Sequence, residues 1–312
     1  MELRCTENAD AQEDAAMSTK TPIEWTDVSW NPLRGCSLVS KGCESCYAMK
    51  MAHRFSGKGQ PYAGLTEIGQ QGPRWNGTIR LVPEALEEPL HWKQPRRVFV
   101  NSMSDLFHDD VPAEFIVRVF EVMDACPQHT FQILTKRPER VESVLYGEEG
   151  GFYLGGGDWM PNVWMGFSAE DQTTFDRRLE VFALRPGERI HWAYAMKLWC
   201  SLEPLLGPID IRKPFPLQWV VCGGESGPHA RPCDLAWMRS IKEQCQNAAV
   251  PVFVKQLGAR WYDTAAGVGI RGSVAVPIDK RWTWVTQRDR KGGDFDDAEF
   301  PVDLRVRQFP KS

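Results

Sequence analysis

From Arg97 onward the chain alternates short β-branched or aromatic runs with polar punctuation and segments of helical periodicity. The runs are Val98 to Val100, Phe131 to Leu134, Val163 to Phe167, Leu198 to Leu202, Trp219 to Cys222 and Val252 to Val254. Most lie roughly thirty residues apart, the length of one βαβ step, and their unbroken apolar character suits strands buried on both faces. The stripes between them predict helices. Phe115, Ile116, Val119, Phe120 and Met123 share one face, with Asp110 as cap and Pro112 in the first turn. Pro138 opens a second helix bearing Val141, Val144 and Leu145, and a third follows Thr173 with Phe175, Leu179 and Phe182. Asp234 opens a fourth, where Leu235, Met238, Ile241 and Cys245 align. Between Leu202 and Trp219 the residues Pro204, Pro208, Pro214 and Pro216 predict a loop instead.

Six such strands, with one more near Cys36, predict an α/β fold in which parallel strands form a partial or complete (β/α) barrel. A doubly wound open sheet is the alternative. Residues 21–258 would make this body. Residues 1–20 carry Glu2, Glu7, Asp10, Glu13 and Asp14 with scarcely any large apolar side chain, which predicts a disordered acidic tail; Met17 is a candidate alternative start. Residues 259–312, with Gly267, Gly269, Gly272, Trp282, Trp284 and the charged stretch from Arg288 to Asp297, predict a β-rich extension and tail. The segment from Gly57 to Gly77 reads as an excursion over one face.

With 312 residues, 42% apolar and 25% charged, the chain can bury a substantial core. A formal charge of −4 gives no general affinity for nucleic acid, although a local basic groove stays open. No stretch approaches the roughly 18 consecutive apolar residues of a membrane span, and the N-terminus lacks a secretion signal, so a cytoplasmic, membrane-free protein is expected. Nine cysteines, an odd number in a reducing compartment, are read as ligands or packed thiols rather than disulfides. Cys126, Cys200, Cys222 and Cys245 lie in apolar contexts and read as core residues, while Cys5 and Cys233 have no assignment.

Three of the nine are clustered. Cys36, Cys43 and Cys46 are spaced C-x6-C-x2-C; the closing pair lets two thiolates converge on one metal centre, and the longer gap can bring Cys36 back beside them. Three ligands leave one position open. In a zinc site His53, seven residues beyond Cys46, is the candidate fourth ligand. In a four-iron cluster the unligated iron can bind a substrate or cofactor.

Polar residues collect at the C-terminal ends of the predicted strands, where parallel α/β folds place ligands. Asn101, Ser102 and Asp105 follow one strand, Lys136 and Arg137 the next, and Ser168, Glu170 and Asp171 the third; Glu203, then Glu225 and Ser226, then Lys255 follow the others. Lys136 and Arg137 could bind a carboxylate or phosphate and, with Lys255, are the substrate-binding candidates. Gly223 and Gly224 permit close backbone approach to a ligand, and Glu225 could accept hydrogen bonds from an amino group or ribose. Each has a structural rival: an ion pair for Lys136 and Arg137, a turn for Glu225, a loop cap for Asp105. His108 and His129 read as structural.

The stretch Ile23-Glu24-Trp25-Thr26-Asp27 with Trp30-Asn31-Pro32, Gly35-Cys36, Gly42-Cys43 and Cys46-Tyr47-Ala48 resembles a phage- and prophage-associated family of uncharacterised proteins, regarded as related to the radical S-adenosylmethionine enzymes. The resemblance continues through Phe99 to His108, Leu134 to Arg140, Glu203 to Pro208, Gly223 to Gly227 and Lys255-Gln256. It implies a partial barrel whose cysteine loop holds a [4Fe-4S] cluster, with the open iron chelating S-adenosylmethionine. On that reading Tyr47, Asn101, Ser102, Asp105, Ser168, Glu170, Glu203, Gly223, Gly224 and Glu225 are the cofactor-contact candidates. Partners would be a small-molecule or nucleotide-related substrate and an electron donor. Two features depart from the enzymes' usual pattern: six residues rather than three separate the first two cysteines, and the Gly-Gly-Glu motif comes late in the chain. The other readings are a zinc-stabilised α/β binding protein and a nucleic-acid repair or modification enzyme.

Overall fold

The computed structural model describes residues 21–70, 72–145, 160–182, 197–211, 217–227, 229–265 and 300–310. The acidic tail, and the glycines and tryptophans expected in the C-terminal extension, lie outside the described residues. Two compact units interleave along the sequence: Met1–Val39, Cys46–Phe167 and Val181–Lys197 form the first, and Ser40–Ser45, Ser168–Glu180 and Leu198–Ser312 the second.

In the first unit β1 (Val28–Trp30), β2 (Arg97–Val100), β3 (Thr130–Thr135) and β4 (Val163–Ser168) follow in chain order. Each is parallel to the next, with Trp30 opposite Val100, Val100 opposite Ile133 and Thr135 opposite Phe167. Every residue of β4 is buried, as an apolar run without alternation requires. Among the described residues its helices of eight residues or more are α1 (Tyr47–Arg54), α2 (Ala113–Asp124) and α3 (Pro138–Leu145). The predicted cap of α2 is corrected by the structure. Pro112, not Asp110, is the N-cap, because the Phe115 and Ile116 amides donate to the Pro112 carbonyl while its ψ of 137° is not helical. The expected loop from Gly57 to Gly77 contains a hairpin, Thr66–Gly69 against Gly72–Trp75. Leu65 and Trp75 pack on Ala48, Met49 and Ala52 of α1, so the excursion has its own apolar core.

In the second unit β5 (Lys197–Leu202), β6 (Leu217–Gly223) and β7 (Val252–Gln256) repeat the parallel order, Val220 lying opposite both Cys200 and Val252. The rings of Trp199 and Trp219 meet at a tilt of 36°, 5.2 Å apart, on adjacent strands. Residues 203–211 contain no helix, as the prolines predict. Helix α4 (Gln172–Glu180) begins one residue before Thr173 because the Asp171 carboxylate accepts from the Thr174 amide at 2.9 Å. Helix α5 (Leu235–Asn247) is capped as expected: Asp234 Oδ1 accepts from the Ala236 amide at 3.0 Å. Of the extension, Trp261–Tyr262 pairs with Cys233–Asp234, and Arg307 bridges Phe253 at the edge of β7. An α/β fold of sequential parallel strands, the class expected, is thus the architecture of both units. Among the described residues no helix is long and apolar enough to cross a membrane.

Candidate metal and cofactor site

The cysteine segment begins after the short strand Leu33–Arg34 at Gly35, whose φ is +94° and whose missing Cβ would meet the Thr78 carbonyl oxygen at 2.1 Å. Only glycine fits this exit. The next two residues are held from the ends of β2 and β3. Asp105 accepts from Thr135 Oγ1 at 2.7 Å, from the Lys136 amide at 3.0 Å and from Arg137 Nη1 at 3.2 Å. The two charged side chains are only 7% and 8% exposed. Arg137 Nη2 donates to Ser37 Oγ at 2.7 Å, and Ser37 Oγ lies 2.8 Å from His108 Nε2. Because the Asp110 amide donates to His108 Nδ1, that imidazole carries its proton on Nε2 and gives it to Ser37. The Cys36 thiol lies beside the Arg137 guanidinium. Burial works against the arginine's charge, but Asp105 and Cys36 together hold its pKa above the ordinary value.

The second unit holds the middle of the same segment. Lys41–Cys43 form a 3-10 turn, and the Gly42 amide donates to Glu170 Oε1 at 3.1 Å. The other oxygen of Glu170 pairs with Arg178 Nη1 at 3.2 Å, and Nη1 also donates to the Ser168 carbonyl. Arg178 is fully buried, yet its Nε and Nη2 have no hydrogen-bond partner among the described residues. Burial lowers its pKa; the charges of Glu170 and Cys43 oppose that shift. Arg231 completes the attachment. Its amide, Nε and Nη2 donate to Glu225, and Nη1 donates to the Lys41 carbonyl at 2.8 Å and to Glu44 at 3.0 Å.

Cys46 is the N-cap of α1, and with Cys36 it packs against the Ala48, Met49 and Trp75 cluster. All three thiols are partly buried and free of disulfides. As placed, no group of three or more His, Cys, Asp or Glu side chains among the described residues converges as a metal site. His53 Nδ1 contacts Thr66 Oγ1 at 3.0 Å. Cys200, Cys222 and Cys245 are fully buried, as expected of core thiols, and burial pushes Cys245 up to about 12.

The remaining candidates sit at strand ends in their own units. Tyr47 donates its hydroxyl proton to the Ser102 carbonyl at 2.8 Å, and Ser102 Oγ donates to Asn31 Oδ1. Asn101 has φ +61° and is 2% exposed, and neither atom of its side-chain amide has a partner among the described residues. In the second unit Lys255 Nζ bonds both oxygens of Glu203 at 2.8 Å, while Gln256 Nε2 donates to Glu203 and to the Gly224 carbonyl. Gly223 and Gly224 approach the backbone of residues 256–258. Arg178 and Arg231 were not singled out from the sequence. Arg178 was readable, because it falls between Phe175 and Leu179 on the apolar stripe of α4, where a charge needs a buried partner.

The geometry defines an α/β protein in which a three-thiol segment, following the first strand of a parallel ladder, is held in place by buried arginine–carboxylate pairs. The chain belongs to the family described as Protein of unknown function (DUF5131), whose model matches residues 20–300. No curated protein and no solved structure matches it significantly.

Proposed function

We propose that this is a cytoplasmic iron–sulfur protein related to the radical S-adenosylmethionine enzymes, with a [4Fe-4S] cluster on Cys36, Cys43 and Cys46 and a nucleotide-related substrate. The observation that carries the reading is Arg178: a fully buried guanidinium, two of whose nitrogens have no partner among the described residues, on the carboxylate that holds the Gly42 amide one residue before Cys43. An uncompensated buried donor of this kind is costly unless an anion meets it. Arg137, paired with Asp105 and Ser37, lies beside Cys36. Cysteine binds metal as the thiolate, so a centre bound here would be anionic. The donor set therefore suits an anionic sulfur-ligated centre, with three ligands and one position left open.

Bound and reduced, such a cluster supplies the electron that opens the sulfonium bond of S-adenosylmethionine in the related enzymes. The chain's own residues hold the loop. Asp105 fixes Arg137, which orients Ser37 and neighbours Cys36; Glu170 fixes Arg178 and takes the Gly42 amide one residue before Cys43. Asn101, with its free buried amide, is the group best placed to meet a polar cofactor from the first unit's strand ends. The phage association belongs to this reading through the sequence resemblance.

Anaerobic purification tests it. A brown protein with about four irons, which releases 5'-deoxyadenosine from S-adenosylmethionine after dithionite reduction, is expected. A colourless protein with one zinc overturns the cluster. An intact cluster without 5'-deoxyadenosine overturns the radical chemistry.

A further inference from the structure

Within the first unit a cavity of about 400 Å³ opens beside α1. That volume lies in the ~300–1,000 Å³ range of small-molecule sites. Tyr47 and Met51 of α1 and Phe55, its C-cap, recur at four-residue spacing along the cavity and stay 48%, 39% and 46% exposed, although all three are large and apolar in body. They account for three of the seven large hydrophobics exposed among the described residues, and they lie together on one wall. Tyr62 faces the same space. An exposed aromatic wall gathered around a concavity marks a binding surface rather than scattered surface hydrophobics.

Two charged groups share this cavity. Arg34 sets its guanidinium over the Tyr62 ring, 5.7 Å from the centroid, and Glu88 is half-buried. Arg34 is close enough for its charge to oppose the upward shift that burial imposes on the Glu88 carboxyl. The lining thus combines flat apolar faces for stacking, one planar donor fork and one carboxylate acceptor. An alkyl chain offers these two groups no hydrogen-bond partner, and a phosphate seated between them would face the Glu88 carboxylate. A planar ring with adjacent N–H donors on one edge and acceptors on the other answers all of them. Among nucleobases that pattern is guanine's: N1–H and N2–H2 for a carboxylate, O6 and N7 for an arginine fork.

We propose that this cavity binds a guanine base, stacked against the aromatic wall of Tyr47 and Phe55, with Glu88 and Arg34 reading its two edges. The inference deepens the proposed function by naming a substrate class, but no cysteine lines the cavity, so it is testable apart from the cluster.

The experiment titrates the full chain with guanosine 5'-monophosphate by calorimetry, as purified and after chelator treatment, with adenosine 5'-monophosphate as control. Saturable one-site binding is expected in both preparations, at least tenfold tighter than for the adenine nucleotide. Glu88→Gln and Arg34→Ala each weaken it at least tenfold, and Phe55→Ser weakens binding of both nucleotides. Circular dichroism of each variant verifies folding, and inosine 5'-monophosphate, which lacks the N2 amine, should bind the parent chain more weakly than the guanine nucleotide. Equal affinity for the guanine and adenine nucleotides, no saturation at millimolar concentration, or binding that disappears with the metal each overturns the proposal.

Discussion

Glu170 and Arg178 form an ion pair of 3.2 Å in which neither side chain is more than 1% exposed. The carboxylate also holds the Gly42 amide, so one residue both neutralises a buried cation and positions the cysteine turn. Glu170→Leu leaves the guanidinium uncompensated and should lower the unfolding free energy by about 3–5 kcal/mol, the cost of breaking a buried pair from one side. Urea denaturation measures it. A variant as stable as the parent would mean that solvent reaches Arg178.

Asp171 gives a pH signature. Burial alone would raise its pKa, but hydrogen bonds from the Thr174 amide and hydroxyl bring it below the ordinary 3.8. A lowered carboxylate adds stability that is present above pH 3.8 and is lost as pH falls through its folded-state pKa. Asp171→Ala should therefore cost about 1 kcal/mol at neutral pH, as a lost helix cap does. Its deficit relative to the parent should shrink as thermal melts are taken below pH 3.8. A deficit that stays constant with pH would assign the loss to packing.

Gly224 in the second unit has no room for a side chain. A Cβ there would sit 2.1 Å from the Leu257 carbonyl oxygen, and the facing Gly258 has φ +92°. Gly224→Ala forces β6 and β7 apart at their ends and should destabilise the protein by about 1–3 kcal/mol. Gly207→Ala, which meets nothing within 4 Å, is the matched control and should be near neutral in the same denaturation series.

His53 separates the metal readings. It lies on the last turn of α1 with Nδ1 against Thr66. Under the iron–sulfur reading, His53→Ala leaves the iron content of anaerobically purified protein unchanged, while Cys43→Ala lowers it at least severalfold. Metal released equally by both substitutions would make His53 a ligand and favour zinc.

The rhythm of strands and helices was legible because buried parallel strands are continuous apolar runs and their helices carry narrow stripes; β3, β4 and α5 start within one residue of the expected positions or at them. The cap of α2 was not, since Asp110 and Pro112 both satisfy local preference and only the Pro112 carbonyl accepts the helical amides. The hairpin from Thr66 to Trp75 was hidden in glycine- and proline-rich sequence that reads as loop. At the candidate site the cysteines and strand-end carboxylates were visible, but their partners were not. Arg231 reaches Lys41 across 190 positions and Arg137 reaches Ser37 across 100, separations at which one sequence carries no pairing signal.

Those separations also set an order of assembly. β1 has no ladder partner until β2 has been synthesised, and the Ser37 segment is not held until Arg137 has emerged. The turn at Lys41–Cys43 waits longer still, for Glu170 and then Arg231. During translation the three thiols therefore appear early and are secured late. A ribosome-stalled fragment ending before Arg231 would present the Lys41–Cys43 turn without that final clasp.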